Sequence, residues 1–187
     1  MSQNKGCASQ AGTALTTRRF VMGAAACAVL LPAASQGLAA TTGPASAEDE
    51  QFMRMALDEA RLGDFPFGTV IVRDNKVIAR GRNQGIKKDD PTAHGEMEAI
   101  RSCLAEHGSK ALVGSTLYTS GEPCAMCIGA IIWCHIGRLV FAATVEQLST
   151  KIGQIMISSA DIAARQTFAP ISITGGVLAA EEMQLFK

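Results

Sequence analysis

The sequence predicts an α/β domain in which a mixed β-sheet carries helices on both faces, and three observations support this. Amphipathic stretches alternate with short β-branched runs in the order α-β-β-α-β-α-β-α-β-α. The first two strand-like runs are joined by Asp74-Asn75 alone, which makes them antiparallel neighbours, while the later runs are separated by helical stretches. The chain of 187 residues, 48% hydrophobic and 18% charged, suits one core rather than two.

Residues 1–40 stand outside that fold. They contain no acidic residue, place Arg18 and Arg19 before an uncharged run from Phe20 to Leu31, and end on Gly37-Leu38-Ala39-Ala40. Positive charge, a short apolar run and then small residues form the pattern of an export signal, with cleavage expected after Ala39 or Ala40. The run is too short to be a stable membrane anchor. Thr17-Arg18-Arg19-Phe20-Val21-Met22 resembles the twin-arginine type of bacterial signal, which implies a periplasmic location for a folded domain at residues 41–187.

Removing that segment changes the charge. Lys5, Arg18 and Arg19 lie in it, so 17 basic residues fall to 14 against an unchanged 17 acidic ones. No basic cluster larger than Lys87-Lys88 remains, which argues against nucleic acid as a partner and for a small uncharged substrate. Cys7 and Cys27 also leave with the segment. Of the four remaining cysteines, Cys103 and Cys134 sit among apolar neighbours and read as small core residues.

Along the domain, Ala47–Leu62 opens with Glu48, Asp49 and Glu50 and repeats apolar residues at helical spacing until Gly63. Phe67–Arg73 and Lys76–Arg82 are the hairpin strands. Asn83–Asp90 is a polar loop that delivers the chain to Pro91, and a helix follows as far as Gly108. Ser115–Thr119 is a strand, and Gly121-Glu122-Pro123 turns it into a helix that is apolar nearly all round, so buried on both sides. Arg138–Ala142 is another strand. The stretch from Thr144 to Ile157 gives no clear signal, after which a helix near Ser159–Thr167, a strand at Ile171–Thr174 and a helix at Leu178–Phe186 close the domain.

Two motifs carry chemistry. Cys124 and Cys127, in a C-x-x-C at the start of a helix behind Pro123, can aim two sulfurs at one metal, and the helix N-terminus favours the thiolate form that binds zinc. His94 supplies a third ligand. Three protein ligands leave a position for water, the arrangement of catalytic rather than structural zinc, and Glu96 is the carboxylate placed to move that water's protons. His94 and Glu96 lie about 200° apart on a regular helix, so they must sit at its mouth, where the free N–H of Gly95 can face a ligand.

The combination His94-x-Glu96 with Pro123-Cys124-x-x-Cys127, together with Pro66-Phe67-Gly68, Asn83, Pro91-Thr92-Ala93, Tyr118-Thr119-Ser120 and the run from Glu122 through Ala130-Ile131, resembles the cytidine-deaminase-like superfamily of zinc deaminases. It is closest to the branch of guanine deaminases, nucleobase deaminases and tRNA adenosine deaminases. The resemblance implies a three-layer α/β/α sandwich with a five-stranded mixed sheet, one zinc ion per subunit on His94, Cys124 and Cys127, Glu96 as proton shuttle, and a homodimer or larger assembly. It also implies substrate contacts at Asn83, the Gly95 N–H, Phe67, and Trp133 from a neighbouring subunit, with Glu146 or Gln147 as the acid-position candidate of guanine deaminases. Each has a plainer reading: Asn83 shapes the loop, Phe67 and Trp133 are core or subunit contacts, and Glu146 is a helix N-terminal acid.

The expected reaction is hydrolytic deamination of a free nucleobase or related amino-heterocycle, with guanine ahead of cytosine and isocytosine. The rival expectations are tRNA adenosine deamination and a zinc-binding module of the same fold without turnover.

Overall fold

The computed structural model describes residues 39–41 and 45–186. The export-signal reading of residues 1–40 therefore falls outside the described residues except at 39 and 40. Those two belong to a short strand, β1 (Ala39–Thr41), and the cleavage positions considered above lie within it. The remaining elements are α1 (Ala47–Ala60), β2 (Gly68–Arg73), β3 (Lys76–Arg82), α2 (Gly85–Lys88), α3 (Gly95–His107), β4 (Thr116–Gly121), α4 (Ala125–Trp133), β5 (Arg138–Ala143), α5 (Val145–Ser149), α6 (Ser159–Ala163), β6 (Ile171–Thr174) and α7 (Ala179–Met183).

The strands form one mixed sheet in the order β1-β6-β5-β4-β2-β3. Five are those expected from sequence, and β1 adds a parallel edge beside β6. β2 pairs antiparallel with β3 and with β4, whereas β4, β5 and β6 run parallel. The hairpin turn is the two-residue kind anticipated: Asp74 and Asn75 both take positive φ, 49° and 59°, which matches the twist of the flanking strands.

Alternation along the strands divides the core in two. Ile71, Leu117, Leu139, Phe141 and Ile173 face one way and pack with Ala99, Ile100 and Cys103 of α3, Ile128 and Ile131 of α4, and Ala163 of α6. Val70, Val72, Tyr118, Val140 and Ala142 face the other way, against Phe52, Met53, Ala56 and Leu57 of α1 and Val177 before α7. This is the three-layer α/β/α sandwich. Full burial of a side chain such as Leu57 contributes about 1.5–3 kcal/mol. The helix α3 lies directly on β3 because Gly81 permits it: a Cβ there would stand 2.1 Å from the Gly95 carbonyl oxygen and 2.3 Å from the Ala99 nitrogen.

Besides the added strand β1 and a shorter α7, the structure departs from the sequence reading at three places. The Asn83–Asp90 loop contains the helical turn α2, closed by Asp89 in the left-handed region (φ 51°). Within the silent stretch, α5 forms because Thr144 and Gln147 make a reciprocal capping box. Helix α6 stops at Ala163, short of Thr167, and Gln166 folds the following chain into a turn by accepting the Phe168 and Ala169 N–H groups. Among the described residues no helix is long and apolar enough to cross a membrane.

Candidate metal and active site

The mouths of α3 and α4 meet. His94 is the N-cap of α3 (φ −69°, ψ 158°) and Cys124 the N-cap of α4 (φ −63°, ψ 168°), so both side chains stand at helix starts, with Cys127 in the first turn of α4. The mouths are adjacent because α3 follows β3, the partner of β2, and β2 pairs with β4, whose end leads into α4. His94 Nδ1 lies 3.7 Å from Cys124 Sγ and 3.6 Å from Cys127 Sγ. A tetrahedral zinc with ordinary Zn–S and Zn–N lengths sets sulfur and nitrogen about 3.6 Å apart, so the donor set has the spacing and chemistry of a zinc site.

The two thiols differ sharply. Cys124 is held as a thiolate, its pKa lowered to about 4, by the hydrogen bond from Cys127 and by His94. Cys127 is pushed up by donating to Cys124, by burial and by Glu96. The Cys124 thiolate in turn raises the His94 imidazole against the effect of burial. Glu96 is buried at 6% exposure, and its pKa rises to about 7, from burial first and then from the charge of Cys124. A buried carboxyl beside a zinc-type donor set is placed to accept and return a proton, and the positive charge of a bound zinc would draw its pKa back down.

Gly95 separates ligand and acid. A Cβ there would approach the Phe67 carbonyl oxygen and Thr69 Oγ1 to 3.1 Å each, so even alanine would have to shift the helix start against β2. The cost of glycine at a helix start, about 0.5–1 kcal/mol, is set against that contact.

Both sides of the question about Asn83 hold at once. It is buried, it lines the cleft with His94 and Glu96, and its Oδ1 accepts the Gly85 N–H at 3.2 Å, which shapes the loop and leaves the amide nitrogen for other partners. Phe67 also lines the cleft and packs edge-on against Phe186, with centroids 5.6 Å apart. Trp133 does not line it: the indole is 73% exposed on α4 and stacks on Phe168. Glu146 is likewise absent from the cleft and exposed, because the capping box turns Val145 and Leu148 inward instead.

The cleft, about 790 Å³, is bounded elsewhere by Phe65, Ile86, Asp89, Asp90, Glu122, Leu148 and the segment 152–155, none of which the motifs picked out as site residues. Among the described residues no Lys or Arg lines it. Asp90 is held in place by accepting from the Thr92 N–H and hydroxyl, at 2.8 and 2.6 Å, and lies 3.5 Å from Arg101. Glu122 had a signal in sequence, an acid directly before the metal-binding Pro-Cys, but no local pattern shows what it holds.

Residues 46–143 match the model of the cytidine and deoxycytidylate deaminase zinc-binding region. The chain is 38% identical over 137 residues to the tRNA-specific adenosine deaminase of Buchnera aphidicola subsp. Baizongia pistaciae, covering 71% of this chain and 82% of that protein. It is 47% identical over 78 residues to the guanine deaminase of Bacillus subtilis, covering 42% of this chain and 50% of that protein. A solved structure of a tRNA:A34 deaminase, which carries out A-to-I editing at the wobble position, superposes with a TM-score of 0.64 at 32% identity, over 72% of this chain and 98% of that one.

Proposed function

The chain belongs to the zinc-dependent deaminase family defined by the cytidine and deoxycytidylate deaminase zinc-binding region, and from that premise we propose that its substrate is an adenosine presented by tRNA. The observation that carries this reading is the breadth of the similarity: the match to a tRNA-specific adenosine deaminase runs through 82% of that protein, whereas the match to a guanine deaminase spans half of one. This reverses the order of preference drawn from sequence. The cleft supports it too. Its volume exceeds what one base needs, and Phe65, Ile86 and Ile155 stand 46%, 71% and 63% exposed around it, apolar surface on which the bases flanking an extruded nucleotide can stack.

The chain's own groups divide the work as follows. His94, Cys124 and Cys127 hold zinc, which when bound supplies water acidified to a pKa of about 7. Glu96 accepts the proton of the attacking water and delivers it to the ring nitrogen. It then takes the second proton from the attacking oxygen and gives it to the departing amine, so one buried carboxyl serves both transfers and ammonia leaves. The Gly95 N–H and the Asn83 amide hold the ring edge beside the reacting carbon.

Charge favours a second reading, a free nucleobase such as guanine. Asp89 and Asp90 line the cleft, Lys and Arg do not, and RNA affinity rests on phosphate neutralisation. Export through residues 1–40 would place the chain in the periplasm, away from tRNA, so finding those residues cleaved in cells supports this second reading. The deciding assay is ammonia release by the zinc-loaded chain from an anticodon stem-loop, adenine, guanine and cytosine. Inosine in the stem-loop is the expected result; turnover of a free base alone would replace the tRNA reading with the second.

A further inference from the structure

Glu122 is 8% exposed and its carboxylate is used on both oxygens. Oε2 accepts the Val145 N–H at 2.9 Å and Oε1 the Ser159 N–H at 2.8 Å. Val145 is the first residue of α5 and Ser159 the first of α6, so one side chain satisfies the starts of two helices. The Ser159 hydroxyl reinforces this by donating to the Pro123 carbonyl at 3.3 Å. On the other side, Glu122 is one residue from Pro123 and two from the ligand Cys124.

Between the two pinned residues runs the wall of the cleft. Leu148, Ile152, Gly153, Gln154 and Ile155 all line it, yet 153–158 has no regular secondary structure. The backbone hydrogen bonds donated by Lys151, Ile152 and Ile157 stay within the segment. Buried, charge-assisted bonds from a carboxylate to backbone N–H groups are among the stronger tertiary ties available, and here they close a loop at both ends.

We propose that Glu122 is a positioning residue for substrate: its carboxylate fixes both ends of the 145–159 segment to the turn that carries Cys124, and thereby sets the cleft wall at a defined distance from the metal site. The inference rests on the deaminase reading of this site, not on which base is turned over. Glu122 touches no reacting atom. Its effect is on how tightly and in what pose the ring is held.

Three substitutions test it in the zinc-loaded full chain. Glu122→Gln turns an acceptor into a donor that faces one of the two N–H groups. Val145→Pro and Ser159→Pro each delete one of those N–H groups and leave the carboxylate intact; proline is tolerated at the first helical position, and Thr144 and Ser158 already have the extended backbone that precedes proline. Ser159→Ala, which keeps the N–H, is the control. The expected result is unchanged zinc content, amide exchange in 150–158 faster by about tenfold or more, and KM raised about tenfold with kcat altered less than about threefold, while the control, which loses only the weaker hydroxyl bond, changes exchange and KM by less than about threefold.

Unchanged exchange in both proline variants overturns the proposal, as does a loss of zinc in parallel with activity, which would make Glu122 part of the metal framework. If Glu122→Gln fails to fold, the proline variants decide. Absence of turnover by the wild-type chain would sink the deaminase reading of the substrate cleft, while the exchange measurement still decides whether Glu122 holds the wall.

Discussion

Two clusters of buried charge sit against the same sheet and are treated in opposite ways. Against α1, Asp49 is 1% exposed and fully partnered: it accepts from Arg138 at 2.6 and 2.9 Å, from the Tyr118 hydroxyl at 3.0 Å and from the Ser46 N–H at 2.9 Å. Burial alone would raise its pKa, but Arg138 and Ser46 more than reverse that and hold it well below the usual carboxylate range. Between α3 and α4, Glu96 is also buried, has no arginine beside it, and is driven up to about 7 because burial and the Cys124 thiolate outweigh the opposing pull of His94 and Cys127. Buried charge with all partners supplied serves the fold; buried charge left short of partners is available for proton transfer.

The sharpest way to break the contrast is at the metal ligands. Cys127→Ser should abolish stoichiometric zinc binding and reduce deamination by about 10³-fold or more, read by metal analysis alongside ammonia release. Next, Glu96→Gln should keep zinc and lower kcat by at least about 10²-fold, since the shape survives and the titrating proton does not. A Glu96→Gln enzyme with wild-type turnover would remove Glu96 from the mechanism.

On the other cluster the expected damage falls on stability. Asp49→Asn leaves the half-buried Arg138 without its charge partner and should destabilise the domain by about 1.5–3 kcal/mol in urea unfolding, with kcat unchanged in the folded fraction. In the wild type, the Asp49 contribution is present above the ordinary carboxylate pKa and is lost as pH falls below it, so acid should narrow the difference between the two proteins.

The last contrast concerns a third acid, whose effect is on the pH dependence of stability alone. Glu182 on α7 is fully buried, neither oxygen has a well-formed hydrogen bond among the described residues, and burial pushes its pKa up to about 8 against a weak lowering by the nearby Ser120 hydroxyl. The folded state therefore binds this proton more tightly than the unfolded chain does. The stability it brings is complete below the ordinary Glu pKa and is lost as pH rises towards 8. Glu182→Gln should flatten that slope, the variant gaining on the wild type by about 1 kcal/mol for each pH unit between 5 and 8 in thermal or chemical unfolding. An unaltered slope would place the proton elsewhere.

Much of the fold was legible because the signals are local. The Asp74-Asn75 turn, the acidic start of α1 and the β-branched runs each dictate their own backbone, and the observed strands fall where those runs lie. The stretch after β5 was only partly legible: Thr144 and Gln147 are a local capping signal, but α5 is five residues, too short for periodicity to register, and its first N–H is taken by Glu122, far away in sequence. Trp133 and Glu146 show the same limit in reverse. Helix phase turns both to the surface of the chain, which takes Glu146 out of this chain's cleft and leaves Trp133 where only a neighbouring subunit could use it.

The amino-acid sequence by itself determined the donor set of His94, Cys124 and Cys127, the acid beside it and the order of elements, because these depend on residue type and short-range spacing. Only the tertiary structure decided that the two helix mouths meet with 3.6–3.7 Å between donors, that Glu96 is buried enough to titrate near neutrality, and that Glu122 ties the cleft wall to the ligand turn. Those outcomes follow from strand order. Placing β2 beside β4 brings the α3 and α4 mouths together, and the burial that follows sets the proton affinities, which no local pattern encodes.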